Sequence, residues 1–160
     1  MTRMGDSGDP VINRDGNAHH CFGCGTLNAI GLQLEFRRSS DGVWAEFTTD
    51  RRYEGYAGMV HGGVLSTMLD EAMSWAITAD SEFAVTARMN TSFRNPARVG
   101  VPLRVEAAVE QRRRRIIDTV ATIVDIETGI VIAEAEGRFM RVSQAQAEEW
   151  RDLYGTAESP

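Results

Sequence analysis

Lysine does not occur anywhere in these 160 residues, and all 17 basic side chains are arginines. Its absence excludes Schiff-base chemistry and lysine nucleophiles. There are only two cysteines, Cys21 and Cys24, too few for a disulfide framework. No apolar run reaches the roughly 20 residues that a membrane-spanning helix needs, and the N-terminus lacks the apolar stretch of a signal peptide. The expected location is therefore the cytoplasm, with no membrane partner. Net charge is −6, which argues against general nucleic-acid binding. What is present suits one soluble domain with a sizeable core.

Patterning along the chain divides it into three parts. Residues 1–18 are polar and read as a loose tail, 19–143 as the folded domain, and 144–160 as a short helix and tail. Leu32, Leu34 and Phe36 alternate within Gly31–Arg38, and Ser39–Gly42 supplies a turn into Val43–Thr49, so a hairpin is expected. Four longer strands follow at 83–94, 101–111, 116–126 and 130–142, with Glu127-Thr128-Gly129 as the last turn. Between the hairpin and these strands lies one long helical pattern over 62–78. Strands, one helix, then more strands predict an α+β fold, with an antiparallel sheet around that helix.

The helical segment carries the most chemistry. Apolar residues at 64, 65, 68, 69, 72, 73 and 76 form a single buried stripe. Gly62 and Gly63 open the helix, where free N–H groups and the helix dipole favour an anion or a polarised carbonyl oxygen. Asp70 falls off the apolar stripe, in line with Ser66 and Ser74, as a solvated carboxylate or as a general base or nucleophile.

Two stretches then carry a resemblance. Glu54-Gly55-Tyr56-Ala57-Gly58-Met59-Val60-His61-Gly62-Gly63 continues through Leu69-Asp70-Glu71-Ala72, and sixteen residues after Asp70 stands Thr86, in a strand closing on Phe93-Arg94-Asn95-Pro96. Together they resemble the hotdog-fold acyl-CoA thioesterases of the phenylacetate-pathway and thioesterase-superfamily-member type, over about residues 20–142. The resemblance implies that Asp70 is base or nucleophile, Gly62 gives its N–H to the thioester carbonyl, Thr86 positions water, and His61 orients the loop or contacts the thioester. It makes Met59, Val60, Gly63, Glu71 and Arg88 the candidates for substrate contact, with Glu71 a weaker alternative base. An asparagine found upstream of the histidine in some members has no counterpart here, where Gly55 and Gly58 occupy the loop. No metal and no cofactor are implied. The partner is an acyl-CoA substrate, and a homodimer or homotetramer is expected, with sites at the subunit interface.

Two clusters stay outside that scheme. Cys21-Phe22-Gly23-Cys24-Gly25, preceded by His19 and His20, has the bite of a zinc half-site. A structural zinc site usually takes a second ligand pair from far along the chain, and the remaining histidine is His61, so a packed turn is expected instead. Arg112–Arg115 reads as a solvated turn between strands, and any of these arginines, or Arg88, Arg94 or Arg98, is available to coenzyme A phosphates. Tyr53, Tyr56, Met59, Met68, Met73, Trp75 and Phe93 fit either an acyl tunnel or the core. Three functional classes follow: an acyl-CoA or carrier-protein thioesterase, a hotdog dehydratase, whose Asp-x-Asn-Pro-x-His core is missing here, and a non-catalytic acyl-CoA binder.

Overall fold

The computed structural model describes residues 8–13 and 18–154. The remainder of the expected N-terminal tail, and residues 155–160, lie outside the described residues. The element order is β1 (Arg37–Arg38), β2 (Val43–Thr48), α1 (Gly62–Thr78), β3 (Ala84–Phe93), β4 (Pro102–Arg112), β5 (Ile116–Asp125), β6 (Val131–Arg141) and α2 (Gln144–Tyr154). One 3-10 turn at Arg51–Tyr53 precedes α1. The six strands form one antiparallel sheet in the order β1-β2-β4-β5-β6-β3. This is the expected α+β arrangement, with α1 lying on one face of the sheet.

Alternation decides which face of each strand meets α1. Leu103, Val105 and Ala107 on β4, Ile117, Ala121 and Ile123 on β5, and Ala133, Ala135 and Phe139 on β6 are all buried. From the helix, Leu65, Met68, Leu69, Ala72, Met73 and Ala76 fill the space between. Gly137 sets how closely the helix approaches: a Cβ there would lie 2.7 Å from Met73 Sδ. Small side chains at the sheet centre and a glycine beneath the helix therefore keep α1 low on the sheet.

Two departures from the sequence reading concern the N-terminal half. Residues 31–36 do alternate, with Leu32, Leu34 and Phe36 buried, but ladder pairing with β2 begins only at Arg37. Gln33 has a left-handed φ of 52°, and the backbone bonds of this stretch go elsewhere. Leu32 N–H donates to Phe22 O and Leu34 N–H to Gly23 O. Residues 8–13, expected within a loose tail, dock on the other side: Ile12 N–H donates to Phe36 O at 2.9 Å. Asn13 is fully buried, donating to Leu34 O and accepting from Phe36 N–H, both at 2.9 Å. One amide side chain thus completes the backbone hydrogen bonding of a short mock strand.

A bulge interrupts β3. Thr86 pairs with Phe139, whereas Arg88 pairs with the next residue back, Arg138, leaving Ala87 as the extra residue. Directly opposed residues share a face, so Thr86 looks toward α1 with buried Phe139 while Arg88 looks outward with Arg138. β3 is also the end strand of the sheet, ten residues long, with Val85 and Phe93 exposed along it.

Candidate active site

The site grows from the loop that leads into α1. Glu54 and Val60 bridge across this loop, Gly55 N–H donates to Met59 O, and Gly58 turns the chain with a left-handed φ of 78°. Its N–H is taken by Glu54 Oε1 at 2.8 Å. Val60 N–H then donates to Ala97 O and His61 N–H to Tyr53 O, both at 2.9 Å, which fixes where the helix begins.

His61 is the N-cap of α1. Its Nδ1 accepts the Gly63 N–H at 2.9 Å, and its carbonyl oxygen accepts Val64 N–H. The capping bond consumes one of the orphan donors of the first turn and leaves the Gly62 N–H without an acceptor among the described residues. Gly62 faces an open cleft of about 710 Å³ whose walls include Tyr56, Met59, Val60, His61 and Phe93. A Cβ on Gly62 would touch the Phe93 ring at 3.4 Å, and one on Gly63 would press within 3.0 Å of His61 Nδ1. Glycine at 62 leaves its backbone N–H accessible at the cleft edge, whereas the Gly63 N–H is taken by the cap.

Asp70 stands two turns further along α1 and does not line this cleft. Its Oδ1 accepts a hydrogen bond from Thr86 Oγ1 at 2.7 Å, which ties the helix to β3 and orients the carboxylate. Among the expected site residues the structure therefore forms two groups: Met59, Val60, His61 and Gly62 around the cleft with Gly63 in the capping bond, and Asp70 with Thr86. Eight residues of helix separate Gly62 from Asp70, about 12 Å along the axis.

Glu71 and Arg88 lie elsewhere. Arg88 is displaced by the bulge to the outer face, beside Arg113, Asp118 and Arg138, because the extra residue breaks the alternation that would have kept it with Thr86. Glu71 points beneath the cysteine turn, where Cys21 Sγ lies 3.5 Å from both of its carboxylate oxygens. Burial there, next to the Cys21 sulfur, pushes the Glu71 carboxyl up to about 7. The Cys24 thiol and the N–H groups of Cys24 and Gly23 hold the Cys21 thiol down to about 5, and the same contact raises Cys24 above the usual thiol range. Spacing alone did not bring Glu71 to the cysteines, since fifty residues separate it from Cys21.

Arg112–Arg115 contains the expected turn. Arg112 itself ends β4 and pairs with Asp80 and Glu82, and Arg113 pairs with Asp118, whereas Arg114 and Arg115 are exposed. No helix among the described residues is long and apolar enough to cross a membrane.

Residues 57–132, just under half of the chain, match the family model of the thioesterase superfamily. Among solved structures, a thioesterase superfamily protein superimposes with a TM-score of 0.69 at 28% identity over 72% of this chain, which spans only 60% of that relative. A putative thioesterase from Ralstonia eutropha JMP134, described as phenylacetic acid degradation-related, gives 0.61 at 27% identity over 68% of this chain and 85% of its own. A hypothetical thioesterase from Streptococcus pneumoniae TIGR4, solved with coenzyme A, gives 0.65 at 19% identity over 69% of this chain and 90% of its own. With the helix-wrapping antiparallel sheet and the glycine-opened α1 in place, the chain has the hotdog fold and is similar, over residues 57–132, to the thioesterase superfamily.

Proposed function

We propose that this protein hydrolyses acyl-CoA thioesters, with each active site assembled from two copies of the chain. The observation that carries the reading is the 2.7 Å bond from Thr86 to Asp70, which presents a carboxylate of fixed orientation from a helix otherwise packed against the sheet. In the reaction, the Gly62 N–H at the dipole-positive end of α1 polarises the thioester carbonyl. Asp70 takes a proton from the attacking water, or attacks the carbonyl itself, and Thr86 holds the carboxylate and the water in line. The new C–O bond forms, the C–S bond breaks, and the proton passes to the departing thiolate of coenzyme A.

The about 12 Å between Gly62 and Asp70 along one helix is too far for both to act on a single carbonyl carbon. An antiparallel second helix resolves this, placing the glycine end of one chain beside the carboxylate of the other. The long exposed edge of β3 is the natural seam, because its unpaired backbone groups invite a second copy. A homodimer, or a tetramer of two dimers, then carries equivalent sites. The coenzyme A of the Streptococcus pneumoniae relative supports the choice of thiol, and the cleft beside Gly62 supplies the apolar wall for an acyl group. Exposed arginines are available to the phosphates, and the cytoplasm is the proposed location.

Free-thiol release from short, medium, long-chain and aromatic acyl-CoA esters tests the reading, with wild type and Asp70→Asn side by side. Release that depends on Asp70 supports hydrolysis. Tight acyl-CoA binding without release from any ester would move the assignment to a non-catalytic binder.

A further inference from the structure

We propose that Cys21, Cys24 and Glu71 form a zinc site that fastens the N-terminal turn to α1. A third ligand from far along the chain is what the sequence pattern lacked, and the fold supplies it as a carboxylate rather than a histidine. The three ligand atoms lie within 4.8 Å of one another. Cys21 Sγ is 3.5 Å from each Glu71 oxygen. Around a tetrahedral zinc ion, a sulfur at roughly 2.3 Å and an oxygen at roughly 2.0 Å are themselves separated by roughly 3.5 Å, so the spacing already suits coordination.

The surroundings are those of a thiolate pair. The N–H groups of Gly23 and Cys24 are directed at the Cys21 sulfur, and Trp75 Nε1–H donates to Cys24 Sγ at 3.4 Å. Such N–H donors orient metal-bound sulfurs and spread their charge. The turn itself is locked: Gly25 N–H donates to Cys21 O at 2.9 Å, and Leu27 N–H to His19 O. A Cβ at Gly23 would strike the Glu71 carboxyl at 2.5 Å, and one at Gly25 would strike the His19 carbonyl oxygen at 2.3 Å. At Gly25 the obstacle is backbone, so glycine is required for the turn to close, and at Gly23 a larger residue would displace the Glu71 carboxylate from its place beneath the turn. Among the described residues no arginine pairs with Glu71, so no protein cation neutralises the three acidic ligands.

Three protein ligands leave the fourth place of the tetrahedron to a water molecule, and Cys21 is partly exposed whereas Cys24 is buried. Binding exchanges the thiol protons for the metal ion and releases them to solvent, with no change in oxidation state. The site is structural: it holds the loop against the residue next to Asp70.

Metal content tests this independently of any hydrolytic activity. Purified reduced protein, stripped with chelator, is titrated with Zn²⁺ against a chromophoric chelator, and with Co²⁺ while thiolate-to-cobalt charge-transfer absorption is followed. The expected result is one equivalent per chain, a charge-transfer band, and a higher Tm with Zn²⁺. Cys24→Ser and Glu71→Gln should each lose the tight equivalent. Wild type that keeps both thiols titratable and takes up neither ion overturns the proposal. So does a wild type that ignores Zn²⁺ and forms a Cys21–Cys24 disulfide on oxidation with a small-molecule disulfide, which would make the pair a redox couple. The wild-type titrations decide the matter even if a variant fails to fold.

Discussion

Asp70 and Glu71 are consecutive on α1, yet their carboxylates serve different parts of the molecule: Asp70 accepts from Thr86 on β3 at 2.7 Å, and Glu71 lies 3.5 Å from Cys21 in the N-terminal turn. The 100° step between successive helical residues is enough to separate them. One helix thus anchors two dissimilar neighbourhoods through adjacent side chains.

Asp70→Asn should lower kcat by about 10³-fold or more, because the amide neither accepts the proton nor attacks. Thr86→Ala should cost about 10-fold to 100-fold, since the carboxylate survives and only its orientation is lost. Steady-state thiol release, with size-exclusion chromatography to check assembly, measures both. Equal losses in the two variants would assign Thr86 a larger part of the chemistry.

Complementation between variants tests the shared site. Gly62 is the first helical residue, where proline is well tolerated, so Gly62→Pro removes the N–H donor while sparing α1. Gly62→Pro and Asp70→Asn should each be nearly inactive alone. Co-refolded in equal amounts, they should recover about a quarter of wild-type activity, because half the dimers are mixed and each mixed dimer has one intact site of two. No recovery from mixed dimers of confirmed composition would place Gly62 and Asp70 in separate functions.

The capping bond from Gly63 N–H to His61 Nδ1 should be visible in stability. His61→Ala is expected to cost about 1 kcal/mol in urea unfolding, and His61→Asn, which restores a side-chain acceptor, should recover most of it. If His61→Asn folds like wild type but turns over more slowly, the imidazole contacts the thioester as well.

Acid stability should depend on Asp118. Arg138 hydrogen-bonds this carboxylate, with Nε–Oδ1 at 2.7 Å, and holds its pKa below the usual range. A depressed folded pKa stabilises the protein above the unfolded value of about 3.9, and that contribution disappears as pH falls through the folded value. Asp118→Asn should therefore be less stable than wild type at pH 6, and the difference should shrink as pH is lowered below the unfolded value. Urea midpoints measured from pH 6 downward follow the narrowing gap.

The legible parts of the sequence were those with one dominant period. Helix 62–78 matched its apolar stripe at both ends, and the four long strands fell within one residue or so of their alternation. Residues 31–36 showed the correct buried face but not their partners, because alternation reports which side chains are buried and not where the backbone bonds go. Asn13 was hidden in a polar stretch, and its role depends on two amide contacts that composition does not reveal. Arg88 was read as a candidate for substrate contact, and the bulge at Ala87 that sets it on the outer face with Arg138 is not visible in the sequence pattern. Glu71 was read from its neighbour Asp70, whereas its surroundings are set by a loop fifty residues earlier.

Ala87 lets a single strand run in two phases. Upstream of it, even-numbered residues of β3 turn to the helix; downstream, the phase is reversed. Thr86 and Met89, three apart in sequence, therefore both lie on the helix face, opposite Phe139 and Gly137. Deleting Ala87 would leave Thr86 opposite Phe139 and Arg88 opposite Arg138 on consecutive rungs of a regular ladder, with the hydroxyl still toward Asp70. The bulge is thus a spare link that can be taken out without exchanging the inside of the strand for its outside, and what its removal would change is the local bend and twist that aim the hydroxyl.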